Sequence, residues 1–147
     1  MKQPHYKLVN NTMGWMVFAI SALVYCCTVE PTASLWDCSE FIISAYKLEI
    51  AHPPGAPFFM LTANLFSQFA SDPSQVALMV NIMSALMSAA CVMFLFWTVA
   101  HLMRRLLCDY APVQSWHHLI IIEGSALVGA MACMFSDSFW YSAVEAE

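Results

Sequence analysis

The sequence predicts an all-α integral membrane protein, with three transmembrane helices and two amphipathic helices lying at the interface in the first external loop. Of its 147 residues, 61% are hydrophobic and 10% are charged, whereas soluble domains have about 45–50% and about a quarter. Three long apolar runs follow one another, and a proline-rich segment interrupts the stretch between the first two. A soluble globule of this composition could not cover its surface with polar groups.

Three segments are long enough to span a bilayer, because about 20 helical residues cross its hydrocarbon core. Residues 8–29 and 73–100 contain no charged side chain, and residues 119–135 contain only Glu123. The first run is longer than the apolar region of a signal peptide and is followed by no small-x-small cleavage site. We therefore expect it to be a retained anchor.

The basic residues predict the orientation of these spans. With three crossings, one side holds four bases and the other holds one; they are Lys2, Lys7, Arg104 and Arg105 against Lys47. The excess of Lys and Arg marks the cytoplasmic side, so residues 30–72 form an external loop. The external segments then hold eight acidic residues beside Lys47. A basic nucleic-acid-binding surface is absent, and we predict no nucleic-acid partner.

Two helices too short to span are predicted in the external loop. Over Asp37–Ile50, a polar face recurs at helical spacing, and over Phe58–Ala70 an apolar face does the same. The polar face comprises Asp37, Glu40, Ser44 and Lys47, and the apolar face comprises Phe58, Leu61, Leu65, Phe66 and Phe69. The second helix suits the membrane interface. The prolines of residues 52–57 predict a stiff turn between the helices.

The polar residues of this loop allow both structural and chemical interpretations. Asp37 and Glu40 have the spacing of a capping box, and two carboxylates next to a span also suit acid–base chemistry. His52 either ends a helix or contacts an anion. Lys47 and His52 are the loop's only basic candidates, so a phosphate would find few other cationic partners there.

Polar residues inside the spans are costly in lipid and should face the protein interior. Asn81 and Glu123 either hydrogen-bond to a neighbouring helix or line a transport path. The six cysteines form no CxxC pair and no Cys/His metal spacing, so we predict neither a disulfide scaffold nor a cysteine metal site.

Several short sequence motifs resemble those of a known family. They are residues 30–42 (EPTASLWDCSEFI), 45–48 (AYKL) and 52–57 (HPPGAP), continued by residues 81–86, 135–140 and 143–147. An acidic pair after the first span resembles the first external loop of C-type glycosyltransferases. These motifs resemble the N-terminal signature of protein O-mannosyltransferase-like membrane proteins of Bacteroidetes. Ser39 and Asn64 depart from that pattern, in which we expect glycine and often a basic residue.

The resemblance implies a partial C-type glycosyltransferase fold, with residues 1–147 as its N-terminal transmembrane portion, truncated at the C-terminus and inactive alone. It implies transfer of a sugar, mannose, from a polyprenyl-phosphate carrier to Ser or Thr hydroxyls of exported proteins. The implied partners are the polyprenyl-phosphate-linked sugar, the acceptor protein and membrane lipid. The implied location is the bacterial inner membrane, with the active loop facing the periplasm.

The resemblance also implies roles for particular residues. Asp37 is the expected catalytic base, with Glu40 as its neighbour or an acceptor ligand. Lys47 and His52 are expected to bind the donor phosphate. Acceptor binding is assigned, at second rank, to Glu145 and Glu147. No metal site is assigned, and a divalent cation stays open as a cofactor, because two carboxylates fall short of the six ligands that Mg²⁺ prefers.

A non-enzymatic alternative is a three-span membrane subunit or transporter fragment that binds a cation or a partner through its acidic outer loops. Asn81 and Glu123 would then line a path. The stiff turn at residues 52–57 favours the enzyme, since a transporter core does not need it.

Overall fold

The computed structural model describes residues 5–34, 37–53, 55–109, 113 and 115–146. Every regular element in these residues is helical. In chain order they are α1 (Tyr6–Cys27), α2 (Cys38–Lys47), α3 (Pro57–Ser67), a 3₁₀ turn (Pro73–Gln75), α4 (Val76–Cys108), α5 (Trp116–Met134) and α6 (Asp137–Val144).

Three of these helices are long and apolar enough to cross a membrane, which confirms the predicted fold class. They are α1, α5 and the continuous segment Pro73–Cys108 that ends with α4. At about 1.5 Å per residue, the 33 residues of α4 extend roughly 50 Å. This length exceeds a hydrocarbon core of about 30 Å, so part of α4 should extend beyond it. Because three such helices are present, the chain is a multi-pass membrane protein.

The chain folds as two compact units. The first unit consists of residues 1–21 and 89–136, and the second of residues 22–88 and 137–147. Helices α1 and α4 each contribute to both units, whereas α2, α3 and α6 belong to the second and α5 to the first. By sequence, the second unit has eight acidic residues and a single lysine, Lys47.

The core of the second unit forms where α2 and α3 pack on the first turns of α4. Its buried members are Cys38, Ile42, Ala45, Ala51, Met60, Ala63, Val76, Val80, Met83 and Ala146. Four of these are alanines, which let the backbones approach closely. The side-chain amide of Asn64 in α3 donates to the carbonyl oxygens of Ala45 (2.9 Å) and Tyr46 (3.1 Å) near the end of α2. These bonds tie the two short helices together.

The short helices are confirmed, but with different ends and a rotated face. Helix α2 stops at Lys47 and not at Ile50, because Leu48 adopts a left-handed conformation (φ 54°) and its N–H bonds to the Ala45 carbonyl. Ser44, expected on the polar face, is buried, whereas Tyr46, outside that face, is exposed. Ser44 neighbours Ala45, which belongs to the core of this unit, and its small side chain is covered there.

Helix α3 presents its apolar face outwards. Met60, Ala63 and Ser67 are its buried residues, whereas four of the five predicted apolar-face residues are exposed; they are Phe58, Leu61, Leu65 and Phe69. An apolar face without protein cover is what a helix lying in a membrane interface requires.

Asn81 and Glu123, the polar span residues singled out from the sequence, are both buried. Asn81 donates from its amide to the carbonyl oxygens of Glu30 (2.7 Å) and Thr32 (3.0 Å), so it anchors the segment that follows α1. This agrees with the hydrogen-bonding interpretation, except that its partner is a loop and not a helix. Glu123 is 4% exposed, and neither carboxylate oxygen has a hydrogen-bond partner among the described residues.

Candidate active site

The start of α2 brings together two acids and a histidine. Asp37 immediately precedes α2, Glu40 lies in its first turn, and His52 approaches from the following turn. The His52 backbone N–H donates to Glu40 Oε1 at 2.7 Å. The imidazole Nδ1 lies 3.2 Å from the same oxygen, and Nε2 lies 3.9 Å from Asp37 Oδ2. The imidazole thus bridges the two carboxylates.

The capping-box interpretation of Asp37 and Glu40 is wrong. The Asp37 side chain makes no capping hydrogen bond, and only its backbone carbonyl serves α2, accepting from Phe41 N–H at 3.0 Å. Glu40, whose side chain would reach back in a capping box, bonds to His52 instead. The Asp37 side chain is 62% exposed, so its carboxylate is accessible to a reactant.

The electrostatics of this cluster keep Glu40 ionised. The hydrogen bond from the His52 backbone N–H, followed by the contact with the imidazole, lowers the pKa of the Glu40 carboxyl below its usual value. Phe41 packs edge-on against the imidazole with ring centroids 5.4 Å apart, and Phe59 packs against Phe41 at 5.6 Å. The orientation of His52 is therefore set by both hydrogen bonding and aromatic packing.

The same cluster provides a third candidate ligand for a divalent cation. One ligand atom from each of Asp37, Glu40 and His52 lies within 4.8 Å of the other two, and all three residues are exposed. Three protein ligands leave about three positions for water around Mg²⁺. The hydrogen bond from His52 to Glu40 accounts for the position of these two residues without an ion.

Lys47 is not part of this cluster. It occupies the last turn of α2, seven residues after Glu40, which places it about 10 Å further along the helix axis. A cation at the C-terminal end of a helix is favourable for the helix dipole. The binding of one donor phosphate by Lys47 and His52 stays a prediction.

Glu145 is linked to the start of α2 through two serines. The Ser34 hydroxyl donates to the Glu145 carboxylate, and the Ser39 hydroxyl donates to the Ser34 carbonyl at 3.3 Å. Ser39 lies between Asp37 and Glu40 in sequence. Glu147, the other predicted acceptor residue, lies outside the described residues.

Sequence reasoning missed a cleft in the second unit, of about 480 Å³. It is lined by Thr28, Glu30, Asp137, Trp140, Tyr141, Val144 and Glu145, and we call it the acidic cleft. The sequence did carry a signal for this cleft, because acidic and aromatic residues recur at near-helical spacing; they are Asp137, Trp140, Tyr141 and Glu145. Glu30, more than 100 residues earlier in the sequence, gave no such signal.

Comparison with known proteins identifies the family. Residues 37–147 match the model of the family described as "Protein O-mannosyl-transferase TMEM260 N-terminal domain". The chain belongs to this family. The match includes Asp37, Glu40, Lys47, His52 and Glu145. The narrower assignment to a Bacteroidetes group stays a prediction.

Two curated relatives support membership in the TMEM260 family. A protein O-mannosyl-transferase TMEM260 from Mus musculus is 38% identical over 86 residues, which cover 58% of this chain and 12% of the relative. A protein O-mannosyl-transferase tmem260 from Dictyostelium discoideum is 31% identical over 85 residues, which cover 57% of this chain and 10% of the relative. The chain thus matches about a tenth of the length of these relatives. No solved structure matches it.

Proposed function

We propose that this chain provides the catalytic loop of a protein O-mannosyltransferase. The reaction is transfer of mannose from a polyprenyl phosphate to a Ser or Thr hydroxyl of an exported protein. The observation that carries the proposal is the Asp37 carboxylate beside the Glu40–His52 pair, within the segment that matches the family. This carboxylate is exposed and makes no capping hydrogen bond to α2. The names of the two relatives support glycosyl transfer to proteins.

In this proposal Asp37 is the general base. A hydroxyl is a poor nucleophile, and a carboxylate within hydrogen-bond reach can accept its proton as the oxygen attacks the anomeric carbon. The bond between that carbon and the phosphate oxygen breaks, and the phosphate leaves with the electron pair. His52, placed between Asp37 and Glu40, holds the geometry of the pair, and the ionised Glu40 can accept a hydrogen bond from the acceptor.

The leaving phosphate needs cations or hydrogen-bond donors to stabilise its charge. Lys47 and His52 are the only basic residues between Glu30 and Asp72, and we assign them to the phosphate. The imidazole is 43% exposed, so it can contact a ligand while it keeps its carboxylate partners.

The membrane would bring the donor to this site. Helix α3, whose exposed apolar face suits the interface, is bonded to the end of α2 through Asn64. An α3 helix lying in the lipid surface would hold α2 at the depth where a lipid-borne sugar presents its anomeric carbon. The bacterial inner membrane, with the loop facing the periplasm, stays the predicted location.

We also propose that residues 1–147 form the N-terminal transmembrane portion of a C-type glycosyltransferase domain and are inactive without the remainder. The support is the length of the relatives, of which the chain matches about a tenth. Activity is therefore to be measured on the full-length protein.

The substitution Asp37→Asn tests the base. We expect the full-length variant to insert and fold normally but to lose transfer by at least a hundredfold, since a general base typically contributes about 10²–10⁴ in rate. The assay follows transfer of radiolabelled mannose from polyprenyl-phosphate mannose to a Ser/Thr peptide in liposomes.

Asp72→Asn is the matched control. This exposed acid caps the 3₁₀ turn by accepting from Ser74 N–H at 2.8 Å, and Asn caps about as well. Near-normal transfer by Asp37→Asn would assign the base to Glu40 or another residue.

A second candidate function, cation binding by a non-enzymatic subunit, is supported by the ligand geometry of Asp37, Glu40 and His52. Electron paramagnetic resonance titration with Mn²⁺ separates the two functions. Tight Mn²⁺ binding that Asp37→Asn abolishes, in a full-length protein that transfers no mannose, would favour the subunit.

A further inference from the structure

The acidic cleft differs in chemistry from the cluster at the start of α2. Glu30, Asp137 and Glu145 contribute three carboxylates, and no basic side chain lines the cleft. The lining thus combines acidic side chains with no cationic one, and its formal charge is negative. A ligand bound there must either compensate this negative charge or be repelled by it.

Two aromatic rings complete the cleft. Trp140 and Tyr141 lie side by side in α6 and both line it. Tyr25 packs edge-on against Trp140, with ring centroids 6.0 Å apart, and Tyr141 is 70% exposed. Aromatic faces attract cations, so the rings and the carboxylates favour the same class of ligand.

The cleft is held in shape by the backbone and by short side chains. The Glu30 N–H donates to the Val144 carbonyl at 3.0 Å, which fixes the segment after α1 to the end of α6. Thr32 donates its hydroxyl to the Glu30 carboxylate at 2.7 Å, and Ser34 donates to Glu145. The Glu30 and Glu145 carboxylates are thereby placed before any ligand arrives, which reduces the ordering cost of binding.

The cleft also adjoins the proposed catalytic base. Ser34, which bonds to Glu145, accepts through its carbonyl from Ser39 in the first turn of α2. Asp37 and Ser39 are separated by one residue. Two hydrogen bonds therefore connect the cleft to the start of α2, which Asp37 precedes.

We propose that the acidic cleft binds a Lys or Arg side chain of the acceptor protein, a few residues away from the Ser or Thr that receives the sugar. A cation compensates the three carboxylates and contacts the aromatic faces. The donor phosphate would be repelled, and the hydroxyls of a neutral sugar would leave the negative charge uncompensated. The inference rests on the proposed transfer to proteins and adds a specificity determinant to it.

A pair of acceptor peptides tests the inference on the full-length protein in liposomes. The two differ at one position near the acceptor Ser or Thr, where one carries arginine and the other citrulline, its neutral near-isostere. We expect KM to be about tenfold lower for the arginine peptide, the scale of a hydrogen bond to a charged group, with kcat unchanged. The preference should weaken at high salt.

Variants locate the preference in the cleft. Asp137→Asn and Glu145→Gln, which retain hydrogen-bonding capacity, should each reduce the preference for arginine to about twofold. Asp72→Asn removes an acid of the same unit outside the cleft and should keep the full preference. A preference reduced equally by Asp72→Asn would indicate a general surface field and would overturn the proposal.

Two further results separate failure of the inference from failure of the proposed function. Equal KM values for the two peptides, in an enzyme that transfers mannose, would overturn the cleft proposal alone. If no peptide accepts mannose, the proposed function fails, and fluorescence anisotropy of labelled peptides still tests the cleft. Equal affinities in that measurement would overturn it, and tighter binding of the arginine peptide that Asp137→Asn abolishes would support it.

Discussion

His52 is the residue whose position most changes the interpretation of the site. From the sequence it stands at the beginning of a proline-rich turn, well separated from Asp37. In the structure both its backbone N–H and its imidazole contact Glu40, and the far ring nitrogen faces Asp37. One residue therefore joins the turn to the acidic pair, and its substitution should affect both.

Substitution of the two basic residues tests the phosphate assignment. Lys47→Ala and His52→Ala should each weaken use of the polyprenyl-phosphate donor by about 1.5–3 kcal/mol, the usual value of a hydrogen bond to a charged group. Steady-state kinetics with varied donor measure this change, and Lys47→Arg, which retains the charge, is the control. If the donor dependence is the same as that of the wild type in both alanine variants, the phosphate binds elsewhere.

The lowered pKa of Glu40 predicts that acid loosens the turn. The hydrogen bonds from His52 favour the ionised Glu40 carboxylate over its protonated form. The stabilisation that they give the folded state is therefore fully present above the ordinary glutamate pKa of about 4.3. It is lost as the pH falls through the lower pKa of the folded state. Hydrogen exchange of residues 48–53, corrected for intrinsic rates, should show protection at pH 7 that Glu40→Gln reduces. At a pH below the Glu40 pKa the two proteins should exchange alike, and a difference that persists there would contradict this origin.

At the scale of elements, the sequence predicted what depends on local pattern and missed what depends on distant contacts. The three spans follow from apolar length alone, and their bounds were close to those observed except at the end of the second, which runs on to Cys108 and not to residue 100. The α2–α3 pair was predicted as two amphipathic helices, but the end of α2 depends on Leu48 geometry and on the Asn64 amide, 18 and 19 residues from its acceptors. The acidic pair of Asp37 and Glu40 was likewise visible at helical spacing. Its contact with His52 could be seen only in the folded chain, and so could the acidic cleft.

A close contact between α1 and α4 in the first unit gives a prediction about stability. A Cβ atom added at Gly14 would lie 2.2 Å from the indole Nε1 of Trp97, and that indole N–H donates to the Asn10 carbonyl at 3.2 Å. The ring also packs edge-on against Trp15, 6.2 Å away. Gly14→Ala must therefore displace a ring that other contacts hold, at a cost of roughly 1–3 kcal/mol. Thermal unfolding in detergent should show a lower Tm.

Gly124→Ala is the control, because a Cβ at that position would meet no atom within 4 Å. Alanine is the better helix former by about 1 kcal/mol, so this variant should have an unchanged or higher Tm. A Tm for Gly14→Ala equal to that of Gly124→Ala would mean that the indole moves without cost.

At the scale of the whole chain, one compact unit collects the acidic residues of the outer segments. The second unit comprises residues 22–88 and 137–147, and it contains every acidic residue assigned to the outer segments together with Lys47. Both proposed sites, the cluster at the start of α2 and the acidic cleft, belong to this unit. The proposed chemistry therefore depends on which side of the membrane residues 30–72 occupy.

The enzymatic mechanism depends on the orientation of the spans in the membrane. Because four of the five Lys and Arg residues lie before or at the start of the first span or near the end of the second, the positive-inside rule places the N-terminus in the cytoplasm and residues 30–72 outside. The test begins from a full-length variant without its native cysteines. Ser71→Cys should then react with a membrane-impermeant maleimide in intact spheroplasts. The control, Gln114→Cys, lies between the second and third spans and should react only after the membrane is opened. The reverse pattern would place Asp37 in the cytoplasm, where exported proteins do not present their hydroxyls, and would reject the topology and the mechanism together.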